Sequence, residues 1–198
     1  ECDAPLSKKQ IGMKGTEESA ALYCENVRCP AKDRRRFYHF TSKHAFDIEH
    51  LGPKNLDVLL DNDLISHYAD IFTLTRGDLL ALPRFGEKSV DNLLASIEKA
   101  RHVPLARLIV GLSIPQVGEE TAEDLASRFG TIEKLRSASK DTLSAIEGVG
   151  PIIAASLTLW FADSHNAKVL DDLLKEISIE KKSATIRSSK LAGKTFVL

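Results

Sequence analysis

Leu82-Pro83-Arg84-Phe85-Gly86-Glu87-Lys88-Ser89-Val90 decides the fold, because the chain repeats its pattern four times. The other copies are Ile48-Glu49-His50-Leu51-Gly52-Pro53-Lys54-Asn55-Leu56, Ile114-Pro115-Gln116-Val117-Gly118-Glu119-Glu120-Thr121-Ala122 and Ile146-Glu147-Gly148-Val149-Gly150-Pro151-Ile152-Ile153-Ala154. Aligned without gaps they read apolar, Pro or Glu, any, apolar, Gly, Pro or Glu, any, any, apolar. The shared glycines, Gly52, Gly86, Gly118 and Gly150, are 34, 32 and 32 residues apart. A near-constant period of that size marks one supersecondary unit used repeatedly.

The residue types say what the unit is. Glycine takes positive φ without steric cost and lets another backbone come close. On that reading, replacing it damages fold and binding together. Pro or Glu in the next position suits the first turn of a helix. Apolar residues then follow at helical spacing: Val90, Leu93, Leu94 and Ile97; Ala122, Leu125, Ala126 and Phe129; Ile153, Leu157, Trp160 and Phe161. A shorter helix precedes each hairpin, as from Thr75 to Leu82, which opens on a Thr75-x-x-Asp78 capping pattern. The unit is helix, tight hairpin, helix, and the fold is mainly α. Each hairpin leaves unpaired N–H groups at a helix N-terminus, a ready phosphate site. The alternative is a bundle whose glycines merely terminate helices, but such glycines follow helices and these open them.

The 198 residues, 43% hydrophobic and 28% charged, describe an ordinary globular chain able to bury a sizeable core. No apolar run approaches a bilayer span and no signal peptide opens the chain, so the expectation is a cytoplasmic protein with no membrane partner. The net charge of −1 is unevenly placed. Between Arg28 and His44 lie six bases (Arg28, Lys32, Arg34, Arg35, Arg36, Lys43) against one acid, Asp33. Local patches, more than the total, govern phosphate binding.

Residues 1–40 form a knuckle and a basic link. Cys2, Cys24 and Cys29 all fall here, in a segment without sustained periodicity that is too small for its own core and needs a staple. Thiolates so paired in a cytosolic chain favour zinc over a disulfide. A tetrahedral site takes four ligands; a fourth cysteine just upstream, or His39, would complete it. In the link, Arg34 and Arg35 suit phosphate contact, while Phe37, Tyr38 and Phe40 suit the core. Scattered His39, His44, Asp47, Glu49 and His50 share no helix face and make a poor metal site.

Residues 41–177 hold the four repeats, which are too small to stand apart and pack as one domain. Val103-Pro104-Leu105 starts a further apolar helix ending near Gly111, and Asn166 to Ile177 is a closing amphipathic helix. Residues 178–190 read as a polar linker, and residues 191–198 begin the buried strand of a further domain. The hairpins differ in charge. The second has Arg84 and Lys88 beside its glycine, and the first has Lys54, with Lys43 one helix upstream. The third has Gln116 but also Glu119 and Glu120. The fourth has Gly148 and Gly150 and no cation, so any nucleic-acid contact there falls to backbone N–H groups.

The nine-residue pattern resembles the helix-hairpin-helix motif of DNA repair and replication proteins. Three further features join the hairpins: the cysteine knuckle, the link His39-Phe40-Thr41-Ser42-Lys43-x-Ala45-Phe46-Asp47-Ile48, and the terminal Ala192-Gly193-Lys194-Thr195-Phe196-Val197-Leu198. Together they resemble the C-terminal half of bacterial NAD-dependent DNA ligases along the whole chain. The most specific pieces are Asp47-Ile48-x-x-Leu51-Gly52, Phe85-Gly86-Glu87-Lys88-Ser89 and Val117-Gly118-Glu119. The resemblance implies one structural zinc on four cysteines, a tetra-hairpin domain holding nicked duplex, and a final strand opening a BRCT domain. It places Gly52, Gly86, Gly118 and Gly150 against phosphates, with Lys43 and Arg84 as basic contacts. Ligases of this kind carry AMP from NAD on a lysine in Lys-x-Asp-Gly, which does not occur here. The expectation is a monomeric chain that binds nicked DNA and seals nothing alone, with NAD and magnesium bound elsewhere in a bacterial parent enzyme. A hairpin module of an excision-repair nuclease or junction-binding protein is the alternative, though those usually carry two hairpins and no cysteine knuckle. A helical protein–protein scaffold is a third reading.

Overall fold

The computed structural model describes residues 2–11, 17–26 and 29–180. Strands β1 (Leu6–Ile11) and β2 (Glu17–Cys24) pair antiparallel, with Leu6 opposite Cys24 and an irregularity between Lys8 and Gln10. The sequence shows no sustained periodicity here, and the ribbon is a departure from that reading. No alternation betrayed the ribbon because it has little core to face: Leu6 and Leu22 are exposed. A lone two-stranded ribbon is marginal in water. Its pairing carries the Cys2 end of the chain back to Cys24.

Helix α1 (Pro30–Thr41) starts at Cys29, with Pro30 in its first turn. Then come α2 (Pro53–Asp61), a 3-10 helix (Tyr68–Thr73), α3 (Arg76–Leu80) and α4 (Glu87–Ala100). Strand β3 (His102–Pro104) leads into α5 (Leu105–Gly111), α6 (Glu119–Phe129), α7 (Ile132–Arg136) and α8 (Lys140–Ser144). The chain continues through α9 (Pro151–Ala162), α10 (Ser164–Glu176) and β4 (Ser178–Glu180). The four hairpins join α1 to α2, α3 to α4, α5 to α6 and α8 to α9, and the two helices of each hairpin pack together. The mainly helical tetra-hairpin expectation holds.

The hairpins alternate. Hairpins one and three are entered through a left-handed residue, Asp47 (φ 52°) or Ser113 (φ 53°). Hairpins two and four are entered through right-handed Ala81 and Ala145, which end five-residue helices capped by Thr75 and Ser139. The true repeat is therefore a pair of hairpins: α2, 3-10 helix, α3, α4, and again α6, α7, α8, α9. The even spacing of the glycines conceals this doubling.

One core serves all the hairpins. Phe40 stacks between Phe46 (4.1 Å) and Tyr68 (4.3 Å), and the Tyr68 hydroxyl is pushed up to about 12 by burial. Leu51, Leu56, Leu93 and Leu125 lie at 0–1% exposure. Each such side chain contributes about 1.5–3 kcal/mol relative to exposure. Gly111 is needed for a close approach: a Cβ there would stand 3.0 Å from the Phe46 ring. Tyr38 and Phe37 also face inward, as their pattern suggested; the Tyr38 hydroxyl donates to Asp57.

The region from residue 178 departs from the expected linker. Ser178–Glu180 zips parallel onto His102–Pro104, and Arg101 holds the junction. Its guanidinium donates to the Glu176 carbonyl (2.7 Å) and to the Phe72 carbonyl, while its own carbonyl accepts from Ser178 N–H (2.7 Å). A three-residue strand whose partner lies some seventy residues upstream has no local signature. The rest of the expected linker and the strand at 191–198 lie outside the described residues. No described helix is long and apolar enough to cross a membrane.

Candidate nucleic-acid interface

Helices α2, α4, α6 and α9 begin alike. Their N-caps are Gly52, Gly86, Gly118 and Gly150, all extended, with φ of −77°, −89°, −97° and −73°. None has a side-chain cap. Each glycine carbonyl accepts the first helical bond, from Leu56, Val90, Ala122 or Ala154 (2.9–3.0 Å). First-turn N–H groups are left over in all four, though fewer at α2 and α9: Pro53 and Pro151 have none to offer, and the Asn55 N–H turns back to the Gly52 carbonyl (3.0 Å).

The expected positive φ at these glycines is corrected: it sits two residues earlier. His50 (66°), Arg84 (73°), Gln116 (67°) and Gly148 (81°) are the left-handed residues. A left-handed third position defines a type II turn, which also favours Pro83 and Pro115 at the second. Turn bonds from Leu51 to Ile48 (3.3 Å), Val117 to Ile114 (3.1 Å) and Val149 to Ile146 (3.0 Å) close three of the turns. In the first hairpin Asn55 adds a bond to the His50 carbonyl (2.7 Å), a contact the pattern did not flag.

The N-cap glycines are thus not required by φ. Nor are they required by packing: a Cβ at Gly52, Gly86, Gly118 or Gly150 would meet nothing within 4 Å. All four are exposed. The expectation that their replacement damages fold and binding together is corrected, since the fold does not need glycine there. The missing side chain leaves room for something outside the protein.

The hairpins lie against one another. His44 Nδ1, ahead of the first hairpin, is 2.8 Å from Glu119 Oε1 in the third. Arg107 Nη2 donates to the Lys43 carbonyl (2.6 Å). Ser156 of α9 donates to the Pro115 carbonyl (2.6 Å) in the third hairpin's turn, and a Cβ on Gly148 would lie 3.5 Å from Asp124 Oδ2. Glu119 is therefore engaged by a neighbour, and with His44, Arg107 and Glu120 it lines a shallow cavity of about 170 Å³. The His44 contact to Glu119 was missed because it joins residues more than seventy apart in the chain.

Arg84, Lys88, Lys54, Lys43 and Arg35 are exposed, and none pairs with a carboxylate of any described residue. Lys43 lies in the turn after α1, not on a helix. Arg34 is placed differently from the sequence reading. Its Nη1 meets Asp57 Oδ1 (2.9 Å) and its Nη2 meets Asp61, so the fork is held by two carboxylates of α2. Those hydrogen bonds, to Asp61 first and Asp57 second, raise its pKa. A guanidinium so committed clamps α1 to α2 and has little left for phosphate.

At the other end, the sulfur atoms of Cys2, Cys24 and Cys29 all lie within 4.8 Å of one another. Cys2 and Cys24 approach to 3.5 Å as free thiols. The backbone N–H of Ala4, then the neighbouring thiols, lower the Cys2 pKa to about 7, while burial raises that of Cys24. Cys29 is buried at the N-terminus of α1, as its N-cap residue. Lys32 reaches back to the Cys24 and Asn26 carbonyls and ties the knuckle to α1. Three converging soft donors fit a zinc ion. His39 does not join them: its Nε2 hydrogen-bonds the Val110 carbonyl at 3.0 Å. Among the described residues the three cysteines are the one metal-competent group.

Comparison with known proteins agrees with this geometry. Residues 43–99 match a family described as a SAM-like helix-hairpin-helix tandem, and residues 107–170 match a helix-hairpin-helix motif family. The two matches coincide with the two hairpin pairs. A DNA ligase of Thermosipho africanus is 42% identical over 195 residues, 98% of this chain and 29% of that protein. DNA ligases of Desulforudis audaxviator and Carboxydothermus hydrogenoformans are 42% and 41% identical, over 92% and 90% of the chain and 27% of each protein. The chain spans less than a third of the length of these relatives.

Proposed function

With the chain established as a homologue of bacterial DNA ligases that carries helix-hairpin-helix repeats, we propose that it clamps nicked duplex DNA through the phosphate backbone, without reading sequence. The observation that carries the reading is the set of four exposed glycine N-caps, whose missing side chains nothing inside the protein requires. A phosphate oxygen approaching such a helix start meets free N–H groups and the positive end of the dipole. Arg84 and Lys88 supply charge at the second hairpin, Lys54 and Lys43 at the first, and Arg35 from the link. Gly148 shapes the turn that leads to Gly150. Arg34 is left out of the set.

The whole enzyme, in this reading, is an NAD-dependent ligase that seals 5′-phosphate/3′-hydroxyl nicks as a cytoplasmic monomer. It binds NAD and magnesium outside these residues and opens a BRCT domain after them. The hairpins contribute by positioning: a duplex held still lowers the entropic cost of aligning the ends to be joined. Without a Lys-x-Asp-Gly lysine this stretch binds and does not seal. Cys2, Cys24 and Cys29 would hold a structural zinc, which supplies a cross-link between the ribbon and the start of α1.

The test is a titration of the chain with nicked duplexes of two unrelated sequences over a range of salt, with metal analysis of the same sample. Both duplexes should bind alike, with affinity falling linearly in log–log form by about 0.9 per phosphate contact. Zinc should co-purify and be lost from a Cys24→Ser variant. Affinity indifferent to salt, or unchanged by Arg84→Ala with Lys88→Ala, would sink the clamp.

A further inference from the structure

Isolated exposed leucines and isoleucines are ordinary on protein surfaces. Ile152 is marked out by its register. It is 73% exposed and occupies the second residue of α9, two positions after the open N-cap Gly150. The same position carries Lys54, Lys88 and Glu120 in the other hairpins. Within the doubled repeat its direct counterpart is Lys88, since the second and fourth hairpins share a right-handed entry and a five-residue lead helix. Pro151 removes one more N–H from this helix start, so the fourth hairpin has fewer donors than the second and no cation to offer.

We propose that Ile152 is a DNA contact of an apolar kind, seated on deoxyribose at the groove edge where Lys88 meets a phosphate. This rests on the clamp reading above. A strand passing a helix start presents sugar beside every phosphate, and the sugar's C–H faces are the part of the backbone an isoleucine can cover. Ile152 stands two residues from Gly150, where a Cβ would meet nothing within 4 Å, and the third hairpin's turn is fastened to the same helix through Ser156. The fourth hairpin then adds affinity that salt does not screen, while the second adds affinity that it does.

The experiment measures nicked-duplex affinity against potassium chloride for the chain and four variants. Ile152→Ala should weaken binding about fivefold at every salt concentration, leaving the slope unchanged. Ile152→Lys should steepen the slope by about 0.9, one added phosphate contact. Leu159 is 72% exposed on the same helix. It lies about 10 Å further along the axis, so Leu159→Lys, with the same added charge, should move the slope far less. Lys88→Ala should flatten it. Wild-type affinity in Ile152→Ala, or equal slopes in the two lysine variants, overturns the proposal. A dimer in light scattering that Ile152→Lys disperses does so too, by giving the face to a second copy of the chain. If Lys88→Ala flattens the slope while Ile152→Ala changes nothing, this inference alone fails; if neither has an effect, the clamp fails with it.

Discussion

The molecule starts its helices in two ways. Helices α3, α7, α8 and α10 are closed by side chains: Thr75, Thr131, Ser139 and Asp163 accept from the N–H groups of Asp78, Lys134, Thr142 and Asn166. Helices α2, α4, α6 and α9 open on bare glycine. A hydroxyl or carboxylate cap is worth about 1 kcal/mol over alanine. The same chain uses such caps on four other helices, two of them the lead helices of hairpins two and four, and omits them on the second helix of every hairpin. On the clamp proposed above, the amides at these four helix starts are kept for phosphate, at some cost in stability.

Converting one kind of helix start into the other should change binding most. Gly86→Asp would cap α4 and suit its dipole, so stability should hold or rise by up to about 1 kcal/mol. Duplex binding should fall about 100-fold, because a carboxylate stands where phosphate must come. Unchanged binding in a titration would erase the distinction. Next in size is Arg84→Gly. The arginine holds a left-handed conformation that costs roughly 1–2 kcal/mol in residues other than glycine, and Gly148 fills the same place without strain. Denaturant melts should show a gain of about 1 kcal/mol, while binding weakens about tenfold and its salt slope drops by about 0.9.

The capped set should respond oppositely. Thr75→Ala removes a two-way capping box and should lose about 1 kcal/mol in the same melts, with duplex affinity unchanged. The smallest effect is on pH. Hydrogen bonds from the Thr75 hydroxyl and then its N–H hold Asp78 below its ordinary value of 3.8. Burial opposes the same shift at Asp70, but the N–H groups of Ser66 and His67 prevail. A carboxyl lowered in the folded state stabilises above its unfolded pKa and loses that contribution as pH falls through the folded one. Thermal midpoints should therefore drop between pH 5 and pH 3, and less so in Asp78→Asn. Identical drops would take Asp78 out of the account.

Much of this was legible in the residues. The Thr75-x-x-Asp78 box, the apolar spacing of Val90, Leu93 and Ile97, and the closing helix ending near Ile177 follow from rules acting within one or two turns. The left-handed turn position was not legible, because His50, Arg84, Gln116 and Gly148 share no residue type. The buried face of α9 was hidden by its composition: apolar almost all round, it buries Ala154 and Leu157 and leaves Ile152 and Leu159 outside. The fate of Arg34 was equally invisible, since its partners Asp57 and Asp61 come from the next helix.

Taken alone, the order of residues determined that four glycines open four helices after tight turns, because capping, turn chemistry and apolar period are local. Only packing between distant segments decided that the hairpins come in pairs, that three cysteines meet, and that one arginine of the basic link is consumed within the protein. Those outcomes depend on which surfaces touch and which charges are left over, and neither is set within a turn or two of sequence.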